Sequence, residues 1–216
     1  MAKFEHESEA SVVVNGGNSQ LEVYSAKTST TYERNKNKGN IYGHYTYGTS
    51  QNVESSRNWD LGLRFERELD KKLSLYLGQQ AEGNKFNGID KRYNSDIGVH
   101  YILSKSDKRR IFTELGYRYT IEKQLSGVDR NDSKGRVYIE GQEQQNQALF
   151  YRLWLEYIPN FSQSKDYLFN YEPSLNIVLG QNLSMKLGYK GMYDNLPVPG
   201  NKKYDYFYTL SLLARF

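Results

Sequence analysis

From Trp59 to Glu66 the chain alternates strictly: Trp59, Leu61, Leu63 and Phe65 fall on one face, and Asp60, Gly62, Arg64 and Glu66 on the other. A repeat of two residues is the period of a β-strand. The pattern returns at Leu183, Met185, Leu187 and Tyr189 against Ser184, Lys186, Gly188 and Lys190. It closes the sequence, where Tyr204, Tyr206, Tyr208, Leu210, Leu212, Ala214 and Phe216 share one face and Asp205, Thr209, Ser211 and Arg215 the other. Stretches around Leu73, Ile97, Ile111 and Leu149 read the same way. Helix-period stretches are missing, and β-branched and aromatic residues fill the segment cores, so the chain is predicted to be all-β.

Clear segments begin near Phe4, Gln20, Gly39, Arg57, Lys72, Lys91, Arg110, Gln147, Asp166, Leu183 and Lys203. Short polar turns at Asn35–Asn40, Leu69–Lys72, Ser104–Arg109 and Gly180–Asn182 alternate with more open connections at "NVESS", "KFNGIDK", "SGVDRNDSKG", "SQSKD" and "NLPVPGNKK". That is a meander whose two ends face different surroundings, as in outer-membrane barrels, which need an even strand number in bacteria. The alternation falls out of step between Lys123 and Asn146, and "KGRVYIEGQE", Lys134–Glu143, is the segment that restores it. The expectation is a transmembrane antiparallel up-and-down β-barrel of 12 strands, with 10 as the alternative if that segment is loop. No Pro-rich or Gly/Ser-rich linker divides the chain, so residues 1–216 are read as a single domain.

Composition does not decide the medium. Of 216 residues 38% are hydrophobic, which looks soluble, but in a barrel only every second residue meets lipid and the average stays polar. What favours lipid is the Gly-rich polar face carrying both charge signs, together with an apolar face bounded by tyrosines such as Tyr189, Tyr193, Tyr204 and Tyr206, the girdle of an apolar band. Twenty-nine basic and 25 acidic residues are scattered along the chain, so no basic stripe for nucleic acid exists. Zero cysteine excludes disulfides and thiolate metal sites. The start "MAKFEHESEA" has no apolar signal-peptide core and reads as a mature form.

Three stretches, "ELDKKLSLYLGQQAEGNKFNGIDKRYNSDIGVHYIL", "LEYIPNF…DYLFNYEPSLNIVLGQNLSMKLGYKGMYDN" and "KKYDYFYTLSLLARF", carry a family pattern. A Tyr-x-Pro-Ser-Leu-like stretch, an Asn-Leu-Ser turn and strand, and a loop before a terminal strand ending in Phe make Glu68–Phe216 similar to a bacterial family of salt-induced outer-membrane β-barrel proteins. These are barrel motifs rather than catalytic ones. The resemblance implies a bacterial outer-membrane location and supplies no active site.

The inward set is the most informative. Asp60, Arg64, Glu66, Glu114, Arg118, Arg152, Glu156, Glu172, Lys186, Lys190, Asp205 and Arg215 project from polar faces, and Leu61, Leu63, Phe65, Leu183, Met185, Leu187, Leu210, Leu212 and Phe216 from the opposite, lipid-facing one. Charges in a confined lumen must be paired or wetted, so they predict a salt-bridged constriction, with Arg118 and Arg152 facing Glu114 and Glu156. Among the histidines, His44 and His100 point inward with Ser74 nearby. A lipid-acting serine hydrolase would instead need its nucleophile on the outer wall, and no outward Ser/His/acid set is visible. Glu5, Glu7 and Glu9 share a face, a spacing compatible with a cation but more simply a solvated edge. The Asn-Gly and Gly-Gly pairs of "NGGN" and "KFNGIDK" are hairpin chemistry.

The reading is therefore an outer-membrane barrel with a structural or narrow small-solute or ion-pore role, no enzyme chemistry, no cofactor and no metal. Its expected partners are outer-membrane lipid and the barrel-assembly machinery, addressed through the C-terminal strand. The alternatives are a lipid- or lipopolysaccharide-modifying barrel enzyme and a soluble lipocalin-like carrier.

Overall fold

The computed structural model describes residues 2–15 and 20–216. Twelve strands run β1 (Lys3–Asn15), β2 (Leu21–Arg34), β3 (Asn37–Ser50), β4 (Val53–Glu68), β5 (Leu73–Asn84), β6 (Ile89–Lys105), β7 (Arg109–Gln124), β8 (Asp129–Gln144), β9 (Leu149–Pro159), β10 (Tyr167–Val178), β11 (Leu183–Asp194) and β12 (Tyr204–Arg215). Each pairs antiparallel with its sequence neighbours, and β1 closes on β12, giving a barrel with no free sheet edge. The segment that fell out of step in the sequence is β8, which excludes the ten-strand alternative.

The closing pair is shorter than the rest: its register runs from Glu7 opposite Arg215 to Ala10 opposite Leu212. Below it, His6 and Phe216 exchange two backbone hydrogen bonds of 2.9 Å. Both chain ends and the turns after β2, β4, β6, β8 and β10 share one mouth.

Two expectations about connections need correction. "NVESS" is not an open loop: Gln51 and Asn52 alone connect β3 to β4, both with positive φ (50° and 60°), the conformation of a tight hairpin whose twist suits the strands. Likewise Asp129–Gly135 of "SGVDRNDSKG" already belongs to β8. Strands continue past the apolar band into the polar mouth, because their backbone still pairs there and their inward charges find partners. A polar run therefore marks the edge of the band rather than the end of a strand. The longest connections that remain are those following β9 and β11. Of the "NGGN" turn, Asn15 ends β1 and the remainder lies outside the described residues.

Leu61, Leu63, Phe65, Leu183, Leu187, Leu210, Leu212 and Phe216 are all exposed on the outer wall, and Met185 shares that face at half burial. The buried residues are mostly polar or charged, among them Asn94, Thr120, Glu114, Lys186 and Ser211. A wall apolar outside and polar within is the inverse of a soluble barrel such as a lipocalin, and matches a barrel placed in lipid. No helix among the described residues is long and apolar enough to cross a membrane, which says nothing of spanning strands.

Candidate functional site: a charged constriction below a vestibule

Five strands build the lumen's central obstruction. Arg64 on β4 reaches across to Glu114 on β7, donating from Nη2 to Oε1 at 2.7 Å and from Nη1 to Oε2 at 3.2 Å. Arg136 on β8 donates to the same carboxylate (2.6 Å) and to Glu156 on β9 (2.7 Å). His100 closes on Glu114 from β6, with Nδ1 3.1 Å from Oε1. Glu114 is 5% exposed, so every oxygen lone pair facing the lumen is taken by a cation or an imidazole.

Tyrosines fill the space around this chain of charges. Tyr76, 2% exposed, lies flat under Arg64, whose guanidinium carbon is 4.0 Å from the ring centroid. The ring fits because two neighbouring inward positions are glycine: a Cβ on Gly98 or Gly116 would stand 2.7 Å or 2.3 Å from its hydroxyl. A Cβ on Gly62 would stand 2.1 Å from Tyr42 Cζ. The Gly-rich polar face is thus where inward aromatic rings press against the wall.

The remaining predicted lumen residues form separate pairs. Arg118 holds Asp96 through two bonds of 2.7 and 2.8 Å. Arg152 donates to Glu140 at 2.8 Å, and Glu140 also accepts from the Tyr138 hydroxyl at 2.6 Å. Glu66 lies 3.3 Å from Arg64, and Asp60 3.1 Å from His44 Nδ1. Lys186 joins Glu172 (2.5 Å) and Glu9 of β1 (3.5 Å), helping to lock the closing strands together. Arg215 pairs with Glu7 at the terminal mouth, and Asp205 accepts from Asn87 at the opposite one. Lys190 lines the vestibule.

The expected pairing of Arg118 and Arg152 with Glu114 and Glu156 is therefore incorrect. Glu156 belongs to Arg136, a residue not singled out because it stands on the weakly patterned strand. Asp96, Glu140 and the trio of Arg92 with Glu82 (3.0 Å) and Glu122 (2.6 Å) were also missed. The row Glu5, Glu7 and Glu9 holds lysines and an arginine: Lys3 pairs with Glu5, Arg215 with Glu7, and Lys186 and Lys27 with Glu9. No cluster suited to a metal occurs among the described residues.

On the side away from the termini, the obstruction is the floor of a polar vestibule of about 700 Å³. Tyr42, Arg118, Arg136 and Glu156 lie at its base, and the β11–β12 connection, with Leu196, Pro197 and Val198, forms part of its rim. That connection leans on the β5–β6 turn, where Val198 packs against Gly88.

The outer wall holds one arrangement that alternation had not exposed. Glu9 points inward to Lys186, so His6 and Ser8 on the same strand point outward. His6 Nε2 lies 3.0 Å from Ser8 Oγ, and His6 Nδ1 2.9 Å from Thr30 Oγ1 on β2. No outward acid joins them, so the outer wall carries a Ser/His/Thr set rather than a Ser/His/acid one. Ser74 and His100, by contrast, are both buried inside the lumen as expected.

Comparison with known proteins agrees with this architecture. A family model described as "Protein of unknown function, DUF481" matches residues 8–216. The NanC porin is similar over 99% of this chain and 98% of its own, at 9% identity and a TM-score of 0.56. The KdgM porin gives 11% identity, coverage of 98% and 99%, and a TM-score of 0.54. The COG4313 outer membrane channel from Pseudomonas putida F1 gives 10% identity, coverage of 100% and 95%, and a TM-score of 0.59. At such identities the likeness is one of fold. No curated protein matches the chain.

Proposed function

We propose, for a chain that belongs to the family DUF481 of proteins of unknown function, that the barrel is a narrow passage for small polar solutes or ions across a bacterial outer membrane. The observation that carries this is the Arg64–Glu114–Arg136–Glu156 chain lying under an open vestibule. A filled structural barrel has no need of a wetted chamber of that size. A general porin, with 16–18 strands, keeps an aqueous channel that long side chains do not bridge. Twelve strands fall between, and arginine length decides the bore.

Selectivity follows from the vestibule's charge pattern. Glu82, Glu122 and Asp166 alternate with Arg92, Arg130 and Lys134, so neither sign dominates. One KdgM porin structure is in complex with a disordered oligogalacturonate. The acids here disfavour such a polyanion and suit neutral or zwitterionic solutes of small size. In this reading the wall residues Leu61, Leu63, Leu187 and Leu210 contact outer-membrane lipid, and the terminal strand ending in Phe216 is the segment presented to the barrel-assembly machinery.

Planar-bilayer recording and liposome swelling test the proposal together. The expected record is a low, weakly ion-selective conductance, with swelling in small sugars or amino acids and none in large oligosaccharides. Passage of large solutes refutes the constriction, and no conductance at any voltage refutes the passage.

A further inference from the structure

Lipid-facing positions of a spanning barrel are expected to be apolar, because a polar group in hydrocarbon loses its hydration. The outer wall obeys this at Leu61, Leu63, Ile97, Leu115 and Leu187, all exposed. On β1 and β2 it is interrupted: between apolar outward residues such as Phe4, Ala10, Ala26 and Tyr32 stand His6, Ser8, Thr28 and Thr30. His6 is the fourth residue of β1 and Thr30 the fifth from the end of β2, so at a rise of about 3.3 Å and a tilt of about 40° they stand roughly 8–10 Å along the barrel axis from the terminal mouth. Phe4 and Tyr32, a cross-strand pair, lie nearer the mouth, and Phe216 pairs with His6 from the other side. The polar set is thus inside the aromatic rim. Ionisable groups at such depth are costly and carry function by default.

Geometry gives these residues distinct tasks. With the imidazole proton on Nδ1, His6 donates to Thr30 Oγ1 (2.9 Å) and its free Nε2 accepts from the Ser8 hydroxyl (3.0 Å). That is a nucleophile, a base and an orienting group in hydrogen-bond contact. Thr28, the cross-strand partner of Ser8, places a second hydroxyl on the same face. Beside them the wall is hollowed: a groove of about 700 Å³ runs past Ser8 over Ala10, Ala26 and Gly43 and is walled by Tyr45 and Leu212. Its small apolar floor, open to the bilayer, accepts an extended hydrocarbon chain whose head group remains at the nearby interface.

We infer that Ser8, His6 and Thr30 form a serine-esterase site on the outer wall, acting on fatty-acyl esters of glycerophospholipid in the leaflet on the side of the chain termini. Ser8 Oγ attacks the ester carbonyl as its proton passes to His6 Nε2, and the Thr28 hydroxyl donates to the oxyanion. The tetrahedral adduct collapses with cleavage of the ester C–O bond, and His6 returns the proton to the departing lysophospholipid oxygen. Water from the interface then attacks the acyl-serine carbonyl, gives its proton to His6, and releases the fatty acid as the proton returns to Ser8. The net change is ester plus water to acid plus alcohol. Thr30 is a positioning residue: it holds the tautomer in which Nε2 is free to act as base. This activity is separate from solute passage, and either can fail without the other.

The test uses the whole barrel in vesicles of phosphatidylethanolamine and phosphatidylglycerol, with two readouts. Hexadecylsulfonyl fluoride, which forms an oxygen–sulfur bond with loss of fluoride, is expected to add once per chain, on the peptide holding Ser8, and free fatty acid is expected to accumulate with time. Ser8→Ala should abolish both, and His6→Ala should lower release by roughly 10²–10⁴-fold. Thr30→Val should reduce the rate constant with little change in the lipid concentration at half-maximal rate, and Thr30→Ser should restore it. Ser95→Ala, on the outer wall elsewhere, should change nothing. Heat-dependent gel mobility shows whether each variant is folded, and sulfonylation of the unaltered protein is independent of any variant. Absence of both adduct and fatty acid with the folded wild type overturns the inference, as does release that persists in folded Ser8→Ala.

Discussion

Removing Arg136 should be the most damaging single truncation of a charge in the lumen. Its guanidinium bonds Glu114 at 2.6 Å and Glu156 at 2.7 Å, and reaches the Tyr76 hydroxyl at 3.4 Å. In Arg136→Ala, Glu114 keeps Arg64 and His100, whereas among the described residues the hydrogen-bond donor left to Glu156 is the Asn170 amide at 3.1 Å. Breaking a buried pair by deleting one partner costs about 3–5 kcal/mol. Glu114 remains compensated and water can enter the vestibule above, so the loss should lie near about 3 kcal/mol. Arg152 provides the contrast. It is wetter, and its partner Glu140 keeps the Tyr138 hydroxyl at 2.6 Å. Glu140 is itself buried, so Arg152→Ala should cost about 1–2 kcal/mol, less than Arg136→Ala because one donor to the carboxylate remains.

Urea unfolding in lipid vesicles, followed by tryptophan fluorescence, measures the difference. Trp154 is a suitable probe, because it stacks on Tyr138 at 6.0 Å, itself under Arg136 at 5.0 Å. Glu156→Gln should recover at least about 1 kcal/mol in the Arg136→Ala background, since an orphaned carboxylate becomes a neutral amide. The same truncation removes a bridge across the lumen, so single-channel conductance should rise in Arg136→Ala and change little in Arg152→Ala. If Arg152→Ala is the more damaging of the two, or Glu156→Gln worsens the Arg136→Ala protein, the central chain of charges is not organised as described.

Leu63→Arg and Leu187→Arg, at exposed outer positions, should each cost about 2–4 kcal/mol in bilayer refolding, and unchanged midpoints for both would invert the assignment of faces. Gly62→Ala should cost about 1–3 kcal/mol by overpacking against Tyr42, and Tyr42→Ala in the same chain should remove that excess, a double-mutant cycle that fails if the costs simply add. In the β4–β5 turn, Asp70 accepts backbone N–H bonds from Lys72 (2.7 Å) and Leu73 (2.9 Å), which hold its carboxyl below the ordinary 3.8. A depressed carboxyl adds stability above its ordinary value and loses it as pH falls through the lowered one. Asp70→Ala should therefore destabilise at neutral pH, with the gap to wild type closing as pH drops well below 3.8; a gap independent of pH would refute the turn's role.

Strand identity was legible because lipid on one side and charge on the other impose the period of two wherever both act on the chain. It faded at β8 for a physical reason. Phe161, from the β9–β10 connection, folds back over Gly135, where a Cβ would stand 2.8 Å from its ring, and the Ser162 hydroxyl accepts from Ser133 N at 2.9 Å. The outward side of β8 at Ser133 and Gly135 is thus covered by the chain's own loop, and its sequence has no need to be apolar. Arg136 follows directly on this stretch, and with the strand weakly read, the central cation of the lumen went unread. Pairing was illegible for another reason. Alternation tells which side a charge faces, but Arg64 and Glu114 lie fifty positions apart, and they meet through the barrel's stagger and the absence of Cβ atoms around Tyr76.

The outward His6–Ser8 pair shows the opposite case, a feature legible from parity alone. In "EHESE" the three glutamates share one strand face, and once that face is the inner one, as Glu9 beside Lys186 shows, His6 and Ser8 must face out. In the sequence the charged half of the alternation stands out, whereas the neutral half looks like ordinary strand. In a membrane wall the ranking reverses: inside the lumen Glu9 meets Lys186 and Lys27, whereas outside it a histidine and a serine bond to each other and to Thr30. Thr30 itself required the β1–β2 register, which places it opposite His6. A shift of that register by one residue would exchange the inner and outer faces of β2. Lys27 lies beside Glu9 on the inner face in that register, so the ion pair that helps close the lumen goes with the placement of Thr30 against the imidazole on the outer one.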